Sequence, residues 1–503
     1  MRSLLSRALT ICAVFVAVWM LVTIYWRSIS RMPTAIEIVV YLLIAPIALI
    51  AVVFLLRRVA VAVAGFATAA ASSSAQPDAA SSGNASPAGA VPQREQAWTL
   101  AIVAASVRTP IGATAADVLD ALHADDIVFA LDATLADAAG FPVRTGRVVG
   151  LDTADTTRAL RQWLDSKPAD VPNPLAIAEE WTEDYYRALA MAGEVVVELI
   201  DVLRSHPGFV AYRSADASQR ATIALPSLQL LPIFPQRWSD SAKKTAAAWL
   251  MHRVTECGWP DDRLLPFPVA GGSSPAPLAS IDRLSSQSHR QSIPCLCLVL
   301  ACESHLSEAC IAEWDAAGRL RHGKNKAAQI PGEGAAGLLI TDTAQATWLD
   351  VDSVSSLHRI AAAPRDKSAD AAGRVDGEFF SGLIQAAIEN GAATADQITL
   401  LVADTDQRAS RVEELLNAAY LILPTLDLDN QCVRVATGCG TAEAAALLTG
   451  LALAHHAAAT DQATVLCVSN QDPLERSAVL VRPFTQSQKA IDHERAAVSS
   501  PTL

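Results

Sequence analysis

Two long apolar stretches dominate the hydropathy pattern near the N-terminus. Residues 8–26 (ALTICAVFVAVWMLVTIYW) are uncharged, and a helix of these 19 residues can cross about 30 Å of hydrocarbon. Residues 38–56 form a second uncharged run, interrupted only by Pro46, which a membrane helix tolerates. A cleaved signal peptide does not fit, because the first run is too long, lacks a clean cleavage site and is followed by a second run. The pattern predicts two membrane-spanning helices within an anchor of residues 1–72.

The placement of arginine predicts the orientation of this anchor. The two outer flanks hold four arginines and the connecting loop holds two. They are Arg2, Arg7, Arg57 and Arg58 on the flanks, and Arg27 and Arg31 in the loop, which is followed by Glu37. Because positive charge is enriched on the cytoplasmic side, we expect a multi-pass protein of the inner membrane with both ends in the cytoplasm.

The composition changes again after the second apolar run. Residues 59–72 continue as an Ala-rich apolar stretch that could extend the second helix or lie at the membrane interface. Residues 73–95 are rich in Ser, Ala, Pro and Gly, a composition that cannot bury a core. They are predicted to be a flexible tether.

From residue 96 onward, short apolar runs alternate with helical patterns. Strands are predicted at 98–107, 293–302, 398–406, 463–470 and 476–483, and the run 293–302 is apolar on both faces. Helices are predicted at 114–122 with Thr114 as the N-cap, at 174–203 as one helix or a pair, at 377–390 and at 440–457. Strands that alternate with helices favour a layered α/β architecture.

Charge and cysteine content narrow the possible partners of this domain. The chain carries −13, and its first 95 residues hold seven Arg and three acidic residues, which leaves −17 on the remainder. Such an acidic domain repels phosphate backbones, so nucleic acid is not expected as a partner. The nine cysteines are odd in number and form no Cys-x-x-Cys pair, which favours buried free thiols in a reducing compartment over a disulfide framework.

Several motifs occur in an order that resembles the β-ketoacyl synthase and thiolase superfamily. The segment 331–336 (PGEGAA) with the following GLLI looks like the family's G-E-G-A segment and its mid-chain strand. Residues 297–304 (CLVLACES) look like the strand that ends in the family's Gly-Gly-x-Glu turn, and GRL follows at 318–320. Residues 98–112, which end in RTPIG, look like the opening strand and its P-x-G turn. Residues 433–454 (VRVATGCGTAEAAALLTGLALA) are similar to the K-S-x-x-G-H-x-x-x-A-A-G segment.

The resemblance spans residues 98–483 and implies an αβαβα thiolase-like sandwich, which is usually a dimer. Its N-terminal half is assigned to residues 96–345 and its C-terminal half to residues 346–486. Residues 487–503 are predicted to be a disordered tail.

The catalytic residues of the family do not carry over onto this sequence. The family needs a Cys nucleophile, together with two His or a His and a Cys that stabilise the enolate and the oxyanion. The nucleophile region corresponds to residues 271–284, which contain no Cys; Ser273 and Ser274 are the nearby hydroxyls. The first His position falls on Asp404, the second on Cys439, and the family's Lys on Arg434.

Two cysteines have alternative interpretations. Cys439 is expected at the start of a helix, where the helix dipole lowers the pKa of a thiol and makes it reactive. The interpretation of Cys439 as a small buried residue in a former His site is favoured, because Cys is so often a core residue. Cys467, where thiolases place their second Cys, is interpreted in the same way, since Ser469 and Asn470 stand where the family has glycines.

Cofactor and metal motifs are not found in the sequence. There is no Walker loop, G-x-G-x-x-G, H-E-x-x-H or G-x-S-x-G motif, so no cofactor is predicted. The pair His455 and His456 lacks a third ligand, and the residues Cys302, Glu303 and His305 are better explained as strand and turn residues than as a metal site.

Three hypotheses for function follow. The main one is a membrane-anchored, non-catalytic member of the thiolase-like fold that acts as a scaffold or partner subunit, as a homodimer or heterodimer, in a bacterial membrane complex. The alternative is an active β-ketoacyl synthase or thiolase-like acyltransferase that works on acyl-CoA or acyl carrier protein thioesters. A third is a module that binds an acyl chain in a surviving tunnel without chemistry. The fold alone does not choose among them.

Overall fold

The computed structural model describes one compact unit of the chain. It describes residue 95 and residues 98–484, except for residues 125–126, 167–180, 267–269, 272–275, 292, 324, 326, 350, 352, 372 and 374–376. The predicted membrane helices at 8–26 and 38–56, the segment 59–72, most of the tether and the tail therefore lie outside the described residues, as does the start of the helix predicted at 174–203. No helix of the described part is both long and apolar enough to cross a membrane.

The N-terminal half contributes one part of a large mixed sheet. Its strands are β1 (Leu100–Arg108), β4 (Leu228–Phe234), β5 (Leu264–Pro266), β6 (Ala270–Gly271), β7 (Leu296–Ser304) and β8 (Glu333–Thr341), and a separate hairpin is formed by β2 (Leu131–Ala136) and β3 (Pro142–Arg144). The order is β5-β4-β7-β8-β1, in which β4 is parallel to β5 and β7, and β8 is antiparallel to both its neighbours.

The C-terminal half contributes the rest of the sheet. Its strands are β9 (Ser355–Leu357), β10 (Ala361–Pro364), β11 (Leu400–Ala403), β12 (Cys432–Arg434), β13 (Val465–Ser469) and β14 (Glu475–Pro483). The order is β12-β11-β13-β14-β9, in which β11 is parallel to β12 and β13, and β14 is antiparallel to both its neighbours. When the five main strands of each half are numbered along the chain, both halves place them side by side in the order 3-2-4-5-1. Strands β1 and β9 pair with each other and join the two halves.

The helices fill the space around and between the two halves of the sheet. They are α1 (Ala115–Ala124), α2 (Thr153–Asp165), α3 (Glu183–Val202), α4 (Pro207–Ser214), α5 (Ala217–Arg220), α6 (Asp240–Glu256), α7 (Ala276–Gln291), α8 (Glu308–Ala316), α9 (Thr343–Trp348), α10 (Glu378–Asn390), α11 (Ala409–Ile422), α12 (Val435–Cys439) and α13 (Glu443–Thr460), with 3-10 turns at Leu203–Ser205, Asp261–Arg263 and Ala395–Gln397.

Three apolar cores show that the domain is layered. One core packs α3 and α6 against one face of the N-terminal strands, and another packs α10 and α11 against one face of the C-terminal strands. The central core contains α7, α13 and strand residues of both halves. Strand residues alternate between cores, as β7 shows with Val299 in the central core and Leu298 in the outer one. The result is an α/β fold with the predicted αβαβα layering.

Most predicted elements occur close to their expected positions. Helix α1 begins as expected, with the backbone N–H of Asp117 donating to the Thr114 hydroxyl at 3.2 Å. Strand β7 is buried along its whole length, as its doubly apolar pattern predicts. The strand predicted at 398–406 is shorter, because the ladder pairing of β11 with its neighbours ends at Ala403. The GEGA segment, in contrast, runs into β8, which begins at Glu333, and the segment is completely buried.

Candidate functional site

The GEGA segment is fixed by a buried carboxylate. Both side-chain oxygens of Glu333 accept hydrogen bonds from the Arg187 guanidinium, at 2.5 and 2.8 Å. Glu333 also accepts from the Val148 backbone N–H and the Ser304 hydroxyl, each at 2.8 Å. The buried Arg187–Glu333 ion pair therefore connects α3, β7 and β8. Removing either partner would leave an uncompensated buried charge.

The loop that carries Cys439 is locked onto this segment. The backbone N–H of Thr441 donates to the Ile330 carbonyl at 2.9 Å, and that of Gly332 donates to the Thr441 carbonyl at 3.2 Å. The Cys439 carbonyl oxygen lies so close to Gly146 and Gly332 that a Cβ on either would come within 2.2 or 2.3 Å of it. These positions require glycine because backbone meets backbone there.

Cys439 occupies a different helical position from the one predicted. It is the last residue of the short helix α12, not the first residue of α13, which begins at Glu443 after a turn through Gly440 at φ +74°. No helix N-terminus therefore activates the thiol. Burial raises the pKa of Cys439 to about 12, and a hydrogen bond with Thr109 only partly opposes this. The expectation that Cys439 starts a helix is wrong.

Asp404 lies at the carboxyl end of the parallel strand β11 and is satisfied from within the protein. Its carboxylate accepts hydrogen bonds from the Ser469 hydroxyl at 2.5 Å and the Asn470 backbone N–H at 3.0 Å. Burial raises the pKa of Asp404 to about 6, although these two bonds oppose the shift. Both partners come from the end of β13 and the residue after it, and their hydrogen bonds explain why a carboxylate is accommodated here.

The structure does not join the three predicted positions into one hydrogen-bonded group. Arg434 ends β12 and precedes α12, and among the described residues its side chain has no hydrogen-bond or ion-pair partner. No hydrogen bond between described residues connects Asp404 with Cys439. Ser273 and Ser274 lie outside the described residues; the helix that follows them, α7, begins at Ala276.

The described cysteines share an environment that disfavours the thiolate. Burial is the first cause of a raised pKa for each of them. They are Cys257, Cys295, Cys297, Cys302, Cys310, Cys432, Cys439 and Cys467. Cys467 is fully buried in β13, where its predicted core role places it.

Sequence analysis treated Glu303 and His305 only as strand and turn residues and missed the charged cluster that they form with Arg237 at the end of β7. The Arg237 guanidinium bonds to Glu303 at 2.5 Å and to Asp184 at 2.8 Å, and it lies 3.4 Å from Nδ1 of His305. Because arginine only donates, Nδ1 accepts and the neutral ring carries its proton on Nε2. Burial, with Arg237 and Arg319 nearby, holds the pKa of His305 well below its usual range. Residues about 65 positions apart meet here, and spacing gives no signal of that.

A second missed residue is Glu443, the first residue of α13. Its backbone has φ +43°, which is uncommon for a residue with a side chain, and its half-buried carboxylate has no hydrogen-bond partner among the described residues. Burial and the nearby charge of Glu303 raise the pKa of Glu443 to about 7, against the opposing effect of Arg237 and Arg319.

Glu443 faces a cavity of about 580 Å³ at the carboxyl ends of the parallel strands, where open α/β sheets commonly bind ligands. Polar and apolar groups both line this cavity. Its polar residues include Gln236, Arg319, Gln329, Arg408, Glu443 and Gln471. Several are already paired, since Arg319 donates to Gln329 at 3.2 Å and Arg408 donates to Gln471. The Glu443 carboxylate has no partner among the described residues, so burying an aliphatic chain against it would be costly. In the described part of the chain, no group of three His, Cys, Asp or Glu side chains could hold a metal ion.

Comparison with known proteins supports the fold. No family model and no curated protein matches the sequence. Solved structures do match. The ketosynthase from module 6 of the bacillaene synthase of Bacillus subtilis 168 is 12% identical with a TM-score of 0.53, over 77% of this chain and 72% of that one. The domain has the ketosynthase fold.

Two further structures extend the same likeness. The ishigamide ketosynthase/chain length factor is 15% identical with a TM-score of 0.51, over 77% of this chain and all of that one. A type II PKS ketosynthase was solved in complex with its acyl-carrier protein and bound to a hexaketide. It is 12% identical with a TM-score of 0.50, over 77% of this chain and 99% of that one. At such low identity the likeness establishes the thiolase-like fold and leaves the chemistry of this chain to its own residues.

Proposed function

We propose that this protein is a membrane-anchored, non-catalytic member of the ketosynthase fold that acts as a scaffold or partner subunit of a bacterial membrane complex. The observation that carries the proposal is that two of the expected catalytic positions are closed off inside the protein. Asp404 is bonded to Ser469 and Asn470, and the thiol of Cys439 is buried, which raises its pKa to about 12. A group that stabilises an enolate or takes an acyl chain must instead be free to contact the substrate.

Two further features favour the same reading. The thiols of the described cysteines are protonated at neutral pH, because burial raises the pKa of each one. The cavity beside Glu443 presents an unpartnered carboxylate, against which the burial of a long acyl chain would be costly. Assembly with a second copy or a different chain is part of the proposal, and the membrane anchor rests on the apolar runs at 8–26 and 38–56.

Acyl transfer provides the direct test. The full chain in mild detergent is incubated with acetyl-, malonyl- and long-chain acyl-CoA, and with an acylated carrier protein, and its intact mass is measured. We expect no acyl adduct. Cys439→Ser tests the site itself, and Cys432→Ser is the matched control at a half-buried cysteine outside it.

Adducts would refute the non-catalytic reading in distinguishable ways. A mass increase that disappears in Cys439→Ser but persists in Cys432→Ser means that Cys439 is a nucleophile. An adduct mapped to Ser273 or Ser274 means that the nucleophile lies before α7. Native mass spectrometry of the protein released from its own membranes tests the partner role, for which a stoichiometric dimer or hetero-complex is expected and a free monomer alone contradicts it.

A further inference from the structure

Two polar side chains in the cavity beside Glu443 have hydrogen-bonding groups that the described part of the protein leaves without partners. One is the carboxylate of Glu443 itself. The other is the amide of Gln471, a buried residue whose oxygen accepts from Arg408 and whose Nε2 has no acceptor among the described residues. Because a guanidinium only donates, the oxygen of Gln471 must face Arg408, and two N–H donors remain. Buried polar groups are normally bonded, so both groups point to a ligand.

The two arginines that line this cavity are engaged elsewhere. The Arg319 guanidinium lies over the ring of Trp314, 4.5 Å from its centroid. Arg408 pairs with the buried carboxylate of Asp406 at 2.8 Å. Neither arginine forms an ion pair with Glu443, so the protein supplies no cation to this carboxylate from the described wall of the cavity.

The acidic residues at the rim leave an excess of negative charge. The Asp370 carboxylate pairs with Arg411 at 2.8 Å. Asp472, in contrast, accepts only from two backbone N–H groups of the turn that follows it, at 2.8 and 2.9 Å. Among the described residues of the wall, the unpaired charges are therefore those of Glu443 and Asp472 against that of Arg319. Such a lining favours a cation.

The groups behind Glu443 add to this excess. Arg237 is shared between two carboxylates, those of Glu303 and Asp184. Burial, followed by the charge of Glu303, raises the pKa of Glu443 to about 7, and Arg237 and Arg319 oppose the shift. A cation bound in the cavity would favour the ionised carboxylate, as a neighbouring opposite charge does.

We propose that this cavity binds a small organic cation, an ammonium or guanidinium compound that also carries an oxygen acceptor. Glu443 pairs with the cation, and the Gln471 amide donates to the oxygen. The cavity of about 580 Å³ has the size of a small-molecule site. This inference adds a ligand to the proposed scaffold or partner role, and it requires neither the membrane anchor nor the absence of acyl transfer.

Three amides that differ at one end provide the test. β-Alaninamide ends in an ammonium group, butyramide in a methyl group and succinamate in a carboxylate. Their binding to the full chain in mild detergent is measured by saturation-transfer NMR at pH 7.5, with protein-free micelles as the baseline. We expect a millimolar dissociation constant for β-alaninamide, binding of butyramide that is weaker by about ten-fold or more, and no binding of succinamate.

Substitutions assign the binding to the proposed residues. Glu443→Gln removes the charge and keeps the size, and it should weaken the binding of β-alaninamide by about ten-fold or more. Glu308→Gln is the matched control, because Glu308 is also the first residue of a helix, α8, and lies outside this cavity. It should leave the binding unchanged. Gln471→Leu should weaken the binding several-fold, and Glu443→Asp, which keeps the charge, should retain most of it.

Other outcomes overturn the proposal. Succinamate that binds as strongly as β-alaninamide would make the cavity an anion site. No binding of β-alaninamide at about 20 mM would mean that the cavity holds only water. Equal losses in Glu443→Gln and Glu308→Gln would assign the binding to the overall charge of the domain. The melting temperature of each variant shows that it is folded, and none of these results depends on acyl transfer or on a partner chain, so the proposed function is tested separately.

Discussion

At the scale of single residues, Asp404 shows how a carboxylate is accommodated in a fully buried site. Its two hydrogen bonds come from a hydroxyl and a backbone N–H, and burial raises its pKa to about 6. An Asn would accept from Asn470 and donate to the Ser469 hydroxyl, which can rotate to accept. An Ala would leave both partners without a bond in a buried site.

Asp404→Asn is therefore expected to be tolerated and Asp404→Ala to destabilise the protein by about 2–4 kcal/mol. The folded pKa lies above the unfolded value of 3.8, so the native state binds the extra proton between these pH values. Stability from this group is present at low pH and decreases as the pH rises through 4 to 6, by about 2–3 kcal/mol. The substitution Asp404→Asn removes this decrease in stability, because an amide side chain does not titrate.

Urea unfolding of the full chain in mild detergent, followed by tryptophan fluorescence at pH 4.5 and 7.5, measures both effects. The Asp404→Asn variant should be more stable than the wild type at pH 7.5, and the difference should be smaller at pH 4.5. The Asp404→Ala variant should be the least stable of the three proteins at both pH values. Equal losses for Asn and Ala at both pH values would show that the carboxylate itself is required.

At the scale of elements, one glycine within β8 and one directly before it test how closely β8 packs against its neighbours. A Cβ at Gly332 would lie 2.3 Å from the Cys439 carbonyl oxygen, which is backbone and cannot rotate away. A Cβ at Gly337 would lie 2.6 Å from Val195 and 2.7 Å from Leu199 of α3, whose side chains can adjust.

Gly332→Ala is therefore expected to destabilise the domain by about 3 kcal/mol or more, and Gly337→Ala by about 1–2 kcal/mol. Gly332→Ala also shifts the backbone that donates to Thr441 and accepts from His305. The urea midpoints of the two variants measure the difference. If Gly337→Ala were the more damaging of the two, the contact of the Cys439 loop with the GEGA segment would not be as close as described.

At the scale of the whole molecule, the orientation of the chain in the membrane is a separate prediction. With both predicted spans inserted, the loop between them faces away from the cytoplasm and the domain faces it. Ser30→Cys in the loop should react in intact cells with a membrane-impermeant maleimide. Ser218→Cys, at an exposed position of α5, should react only after the cells are opened.

The opposite labelling pattern would invert the predicted topology, and labelling of both positions in intact cells would contradict two spans. The native cysteines of the domain interfere little, because most are buried and the pKa of each one is raised. Each labelled variant is compared with the unsubstituted chain to subtract the reaction of Cys12 and the half-buried cysteines.

The sequence by itself determined many of the elements and the layered α/β class. Thr114 marks the start of α1, and the doubly apolar pattern of 293–302 predicts a strand between two helical layers, because local hydrogen bonding and side-chain periodicity are properties of neighbouring residues. The order of short motifs was enough to predict the ketosynthase-like fold that the solved structures share.

Only the tertiary structure decided what occupies the candidate site. That Cys439 ends a helix depends on the turn at Gly440, whose approach to Gly332 joins segments about a hundred residues apart. The partners of Asp404, the Arg237–Glu303–His305 cluster and the half-buried carboxylate of Glu443 depend equally on distant strands meeting at one edge of the sheet. Hydrogen bonding and burial set the reactivity of each group, and both arise only when the chain has folded.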